Sequence, residues 1–267
     1  MQLRRNRFNT RMVTLTASLT ALYVIPRTIL LDRLIGVSGS ITFSGIITPV
    51  LGVFLAPSYG IFAVFLGTMI AAFIPGSAGT LKFGGLDFLG GALNVALISL
   101  LVRGRRTEAT FLYVATLGLF VINPNTEIFV GSNFPSLPIP FQWLRLPSPP
   151  IPYLWFHLVA LGVLVSPLTR NLRDSFTFGG RRSLARSVLV VAFIGTMIEH
   201  VTGGILYASL FGSVALRSWP FIFLIYPFER AVLVLGAVLV CTPLLLASRD
   251  LIAKFHLREV KQDSRLT

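Results

Sequence analysis

Between Ile41 and Ile74 the chain carries no Asp, Glu, Lys, Arg or His, and the nearest charges on either side are Arg33 and Lys82. A helix crossing a hydrocarbon core of roughly 30 Å uses about 20 residues at 1.5 Å each, so this run holds nearly two crossings. Pro57-Ser58 divides it, because proline lacks an amide donor and turns the residue before it away from helical geometry. Gly60 just beyond tolerates the dihedrals of a tight turn. The pattern predicts a helical hairpin over 41 to 56 and 59 to 75, its two arms antiparallel neighbours.

Further apolar blocks predict spans from Met12 to Leu31, Leu86 to Val102, Ala109 to Val130, Tyr153 to Leu168, Ser187 to Phe211 and Trp219 to Ala247. With the hairpin this makes about eight, within a range of six to eight. The expectation is an all-α, polytopic transmembrane helical bundle, a single integral membrane domain over residues 1–267.

Composition agrees: 54% of residues are apolar and 12% charged, half the charged share of an ordinary soluble domain. In a soluble protein a net charge of +13 would point to nucleic acid, but here the basic residues sit in loops and tails. The expected surroundings are membrane lipid, with no nucleic-acid partner. If the N-terminus is cytoplasmic, 17 of the 23 Lys and Arg fall in 1–11, 103–108, 169–186 and 248–267. Such an asymmetry predicts an N-in, C-in, multi-pass protein of the cell membrane, with a basic cytoplasmic N-terminus over 1–11 and a basic tail over 248–267. The single cysteine, Cys241, excludes an intrachain disulfide and a cysteine-built metal site.

Charged groups inside a bilayer need a partner, a wet cavity or a function. The candidates are Arg27, Asp87, Glu127, Glu199, His200, Glu229 and Arg230, with the amides of Asn94, Asn123 and Asn125 at similar depths. Nearly all lie in the outer half, where an importer would receive a small solute. Ion pairing, Glu199 or Glu229 with Arg27 or Arg230, explains the charges equally well. Adjacent Glu199-His200 and Glu229-Arg230 cannot both point the same way, since helical neighbours diverge by about 100 degrees. Pro124 is expected to break the fifth helix beside a cavity or protein. The proline-rich connection from Gly131 to Tyr153 carries Phe134, Phe141 and Trp143, with Trp155 just beyond it. These aromatics would close over a planar ligand or anchor the chain at the interface.

Three segments carry a family resemblance: Ala17 and Ala21 in ASLTA, the run GIITPVLGVFLAPSYGIFAVFLG, and YPFERAVLVLGAVLVCTPLL. Across residues 10 to 103 and 195 to 248 the chain resembles the substrate-binding S component of energy-coupling factor transporters, importers of vitamins and metal ions. The resemblance implies a solute-binding membrane subunit acting with a transmembrane coupling subunit and ATPase subunits. It also implies that Ala17 and Ala21 form the small-xxx-small contact with the coupling subunit; packing inside the bundle would use such a pair as well. Members usually have six spans, so eight imply an inserted helical pair.

No H-E-x-x-H, G-x-S-x-G or G-x-x-x-x-G-K-[ST] motif occurs, so no enzymatic activity, cofactor or metal is expected, and ATP hydrolysis would have to come from other subunits. An ion-coupled carrier using Glu199, His200 and Glu229, and a membrane protein of structural or enzymatic role, are the remaining readings.

Overall fold

A computed structural model describes residues 10–33, 40–77, 81–131 and 147–252. Within them the chain is all-α, with nine α-helices and two small two-stranded hairpins. α1 (Thr10–Thr28) leads into β1 (Leu30–Arg33), which pairs antiparallel with β2 (Ser40–Thr42). α2 (Thr48–Phe54), α3 (Pro57–Ala72), α4 (Leu89–Val102) and α5 (Arg106–Ile122) follow. β3 (Phe129–Val130) pairs with β4 (Ile151–Pro152), and then come α6 (Trp155–Val165), α7 (Leu172–Thr177), α8 (Arg181–Phe211) and α9 (Ser213–Ala247). Among the described residues, α8 and α9 are the two helices long and apolar enough to cross a membrane by length and composition; α3, α6 and the stretch Leu86–Val102 are shorter apolar helices.

α4 and α8 form the centre. α4 packs on α2, α3, α5 and α8, and α8 also meets α5, α6, α7 and α9. Glycine permits the closest approaches: a Cβ at Gly52 would sit 2.5 Å from Ile98, and one at Gly60 2.5 Å from Val95. At the lower end of α2 the guanidinium of Arg103 donates to Gly52 O at 3.3 Å and to Ser99 Oγ at 2.8 Å. Ser99 Oγ donates in turn to Leu55 O at 2.7 Å, so the final carbonyls of α2 are satisfied by side chains of α4 and its C-cap.

Several boundaries differ from expectation, each for a local reason. The first arm of the hairpin is not one helix over 41 to 56. β2 gives way to a 3-10 turn over Phe43–Ile46, and α2 begins only at Thr48, where Pro49 occupies the first turn and its missing donor is tolerated. Pro57 is not in the turn. It opens α3, preceded by extended Ala56, so the link is Leu55-Ala56 and Gly60 is a packing position. α5 stops at Ile122 rather than Val130: Asn123 is extended before Pro124, and its Oδ1 accepts the amide of Asn125 at 3.0 Å. α8 starts six residues early, and α9 starts at Ser213 because Gly212, at φ +53, makes the entire reversal.

Candidate functional site

α8 separates two buried polar clusters. Glu199 and His200 leave different faces of the helix, one toward α4 and the other toward α6 and α9.

In the first cluster, Asn94 Nδ2 donates to Glu199 Oε2 at 2.7 Å and to Thr48 Oγ1 at 3.0 Å. Thr48 Oγ1 passes its own proton to Gly45 O at 2.8 Å. Glu199 lies against Gly90 and Gly45, and a Cβ at Gly195 would collide with Asn94 Oδ1, so small residues on three elements make room for the Glu199–Asn94 contact. The hydroxyl of Tyr23 stands beside Ser44 and Thr68 and within electrostatic range of Arg27 and Glu199. Arg27 lies one turn further along α1.

The second cluster is aromatic. His157 Nε2 and His200 Nδ1 are 3.0 Å apart, so one ring donates and the other accepts. Tyr226 stacks on His200 with centroids 4.6 Å apart and on His157 at 5.3 Å. Its hydroxyl donates to Tyr153 O at 3.1 Å, and Tyr113 donates to His157 O at 3.1 Å. Tyr153 lies between Phe120, stacked at 5.3 Å, and Trp219, edge-on at 5.0 Å. Arg230 approaches both imidazoles and the Tyr153 hydroxyl, donates to Thr196 Oγ1 at 3.2 Å, and forms an ion pair with Glu229 at 3.7 Å.

Among the described residues, Arg27 Nε and Asn94 Oδ1 in the first cluster and Tyr153 Oη, His157 Nδ1 and Arg230 Nε in the second are buried without a hydrogen-bond partner, as are Thr242 Oγ1 and two nitrogens of Arg249 near the end of α9. Buried polar atoms in folded proteins are nearly always paired with protein, water or ligand.

The sequence-derived candidates therefore divide. Arg27, Asn94 and Glu199 come together, and so do His200, Glu229 and Arg230. Asp87 stands apart at the head of α4, both carboxylate oxygens accepting amides, from Lys82 at 2.8 Å and Phe83 at 3.0 Å. Asn123 donates to Ser209 Oγ at 2.9 Å at the ends of α5 and α8. Glu127 lies in the turn beyond α5, where partial burial raises its carboxyl above the ordinary value. Asn125 contributes its carbonyl to Trp219 Nε1 at 3.0 Å. Ala17 and Ala21 lie on the exposed face of α1, opposite the buried Leu19 and Tyr23. Phe134, Phe141 and Trp143 lie outside the described residues; Trp155 is partly exposed and packs on Phe156.

Sequence reasoning missed Thr48, Tyr23, His157, Tyr153 and Tyr226. His157 carried a signal, a histidine in an otherwise apolar block, and so did Tyr23, four residues before Arg27 on one helix face. Among the described residues no three metal-ligating side chains gather. Comparison with known proteins finds no matching family model, no matching curated protein and no matching solved structure.

Proposed function

We propose that the chain is a multi-pass membrane protein that binds a small solute in its outer half and acts with partner subunits, in the manner of an energy-coupling factor S component. The observation that carries this reading is the set of buried polar atoms in the two clusters that have no partner among the described residues. Glu199 of the first cluster lies against Gly45, in the 3-10 turn before α2. Tyr153 of the second donates its amide to Ile128 O, just beyond α5. Solute atoms would satisfy these groups, as water or ligand does elsewhere.

The membrane setting is supported by an inverted polarity. Phe73, Phe111, Phe228 and Leu239 are more than two-thirds exposed, whereas Asn94, Glu229 and Arg230 are buried. Arg106 at the start of α5 donates to Leu164 O and Ser166 O at the end of α6, so the arginine-rich segments 103–106 and 170–186 lie at one end of the bundle, in keeping with N-in, C-in topology. Exposed Ala17 and Ala21 offer α1 to a coupling subunit.

The test is affinity purification of the tagged chain from its native membranes in mild detergent, with mass spectrometry of what co-purifies. Recovery of a membrane coupling subunit and ATPases is expected. Recovery of the chain alone, in detergent that preserves known complexes, overturns the reading.

The hydrogen bond between His157 and His200, beside Arg230 and Glu229, favours a second reading, a proton-coupled carrier. That reading expects uptake by proteoliposomes containing only this chain, abolished when a protonophore collapses the pH gradient.

A further inference from the structure

The arginines of two connections at one end of the bundle, α4 to α5 and α6 to α8, have different fates. Those of the turn between α4 and α5 already have protein acceptors: Arg103 caps α2, Arg105 pairs with Glu108 at 2.9 Å, and Arg106 donates to Leu164 O at 3.1 Å and Ser166 O at 2.9 Å. The Arg106 clamp also fixes the end of α6 to the same end of the bundle. The next connection carries Arg170, Arg173, Arg181, Arg182 and Arg186. All five are exposed, and among the described residues none makes a side-chain hydrogen bond or an ion pair. Asp174 is the one acidic residue between 170 and 186.

This connection is held in place. Leu172 and Phe176 of α7 are buried against the bundle, and Ser183 Oγ donates to Ser175 Oγ at 3.1 Å, tying α7 to the first turn of α8. The opposite side of the segment exposes apolar side chains among the guanidinium groups, Leu168 at 53% and Phe178 at 72%. Free arginines interleaved with exposed apolar groups at the ends of apolar helices match the depth at which phosphates give way to acyl chains.

We infer that the 168–186 segment is a binding surface for anionic phospholipid, Arg170, Arg173, Arg181, Arg182 and Arg186 taking phosphodiester oxygens while Phe178 and Leu168 enter the acyl boundary. The inference rests on the membrane reading above. Guanidinium is suited to the task because it offers paired donors to phosphate and stays charged at all relevant pH. An acidic segment of a partner protein would use the arginines but leave Phe178 and Leu168 exposed to water, so lipid accounts for more of the surface.

The test uses the full chain in nanodiscs of phosphatidylcholine mixed with phosphatidylglycerol, followed by native mass spectrometry of the retained lipid. Wild type is expected to enrich phosphatidylglycerol, each single Arg→Gln change lowering the enrichment by up to about fivefold and the quintuple change abolishing it. A quintuple Arg→Lys variant keeps most of the enrichment, and Phe178→Ser lowers lipid retention without altering the preference. Equal enrichment in wild type and the quintuple Gln variant overturns the proposal. Loss of enrichment on adding millimolar inorganic phosphate overturns it in favour of a soluble phosphate ligand, and retention of an acidic protein without lipid preference overturns it in favour of a partner. Release of the chain from native membranes by alkaline carbonate is read separately and refutes the membrane reading itself.

Discussion

The amide nitrogen of Asn94 lies 2.7 Å from Oε2 of Glu199, joining the two central helices through a buried hydrogen bond. Removing the donor leaves the Glu199 carboxyl group unpaired beside Gly45, Gly90 and Leu233. Asn94→Ala is expected to cost about 1–3 kcal/mol. Glu199→Gln keeps an acceptor of the same shape and costs less than half as much. Thermal unfolding of the purified chain in detergent checks both; equal midpoints for wild type and Asn94→Ala would show that the bond contributes nothing.

A methyl group at Gly195 would collide with Asn94 Oδ1, and one at Gly52 would meet Ile98 at 2.5 Å. Gly195→Ala and Gly52→Ala are expected to destabilise by about 1–3 kcal/mol through forced separation of helices. At Gly118 and Gly162 an added Cβ meets open space, so alanine there is neutral or gains up to about 1 kcal/mol in helix propensity. The four variants, unfolded side by side, separate close packing from a general effect of alanine.

His157 and His200 form a hydrogen-bonded pair inside a shell of tyrosines, and the energetic coupling between them is measurable. Replacing either by Phe leaves one buried nitrogen unpaired, whereas replacing both removes the mismatch. A double-mutant cycle is expected to return a coupling of about 0.5–3 kcal/mol, the double variant being more stable than the sum of the singles implies. Additivity within experimental error would mean that the rings share no proton.

Ala17 and Ala21 contribute little to the fold because they face away from it. Ala17→Leu with Ala21→Leu is expected to leave the unfolding midpoint of the isolated chain within about 0.5 kcal/mol of wild type while preventing recovery of a coupling subunit. An unchanged complex would assign that face to lipid.

Helical content and the order of apolar blocks were legible because lipid-like periodicity needs only composition and length. Boundaries were less so. Continuous hydrophobicity over 41 to 56 concealed a strand, a 3-10 turn and a short helix, since all three are equally apolar when buried; Pro49 was the residue that marked where the helix had to begin. The divergence of Glu199 from His200 followed from helical geometry alone. Which partners each would meet did not, because Asn94 is 105 positions from Glu199 and His157 is 43 from His200. Thr48 was silent in the sequence, one hydroxyl in an apolar run, and only the approach of α4 makes it a polar contact.

All seven residues of α2 are buried. On the membrane reading this bears on biogenesis. A helix of about 10 Å cannot span a bilayer, so the insertion machinery has little to recognise when α2 emerges from the ribosome. Its permanent walls, α4 and α8, are synthesised later, α8 more than a hundred residues on. Until then the α2 segment must wait at the membrane surface or within the translocation channel, and the centre is completed only when α8 emerges, after seven of the nine α-helices.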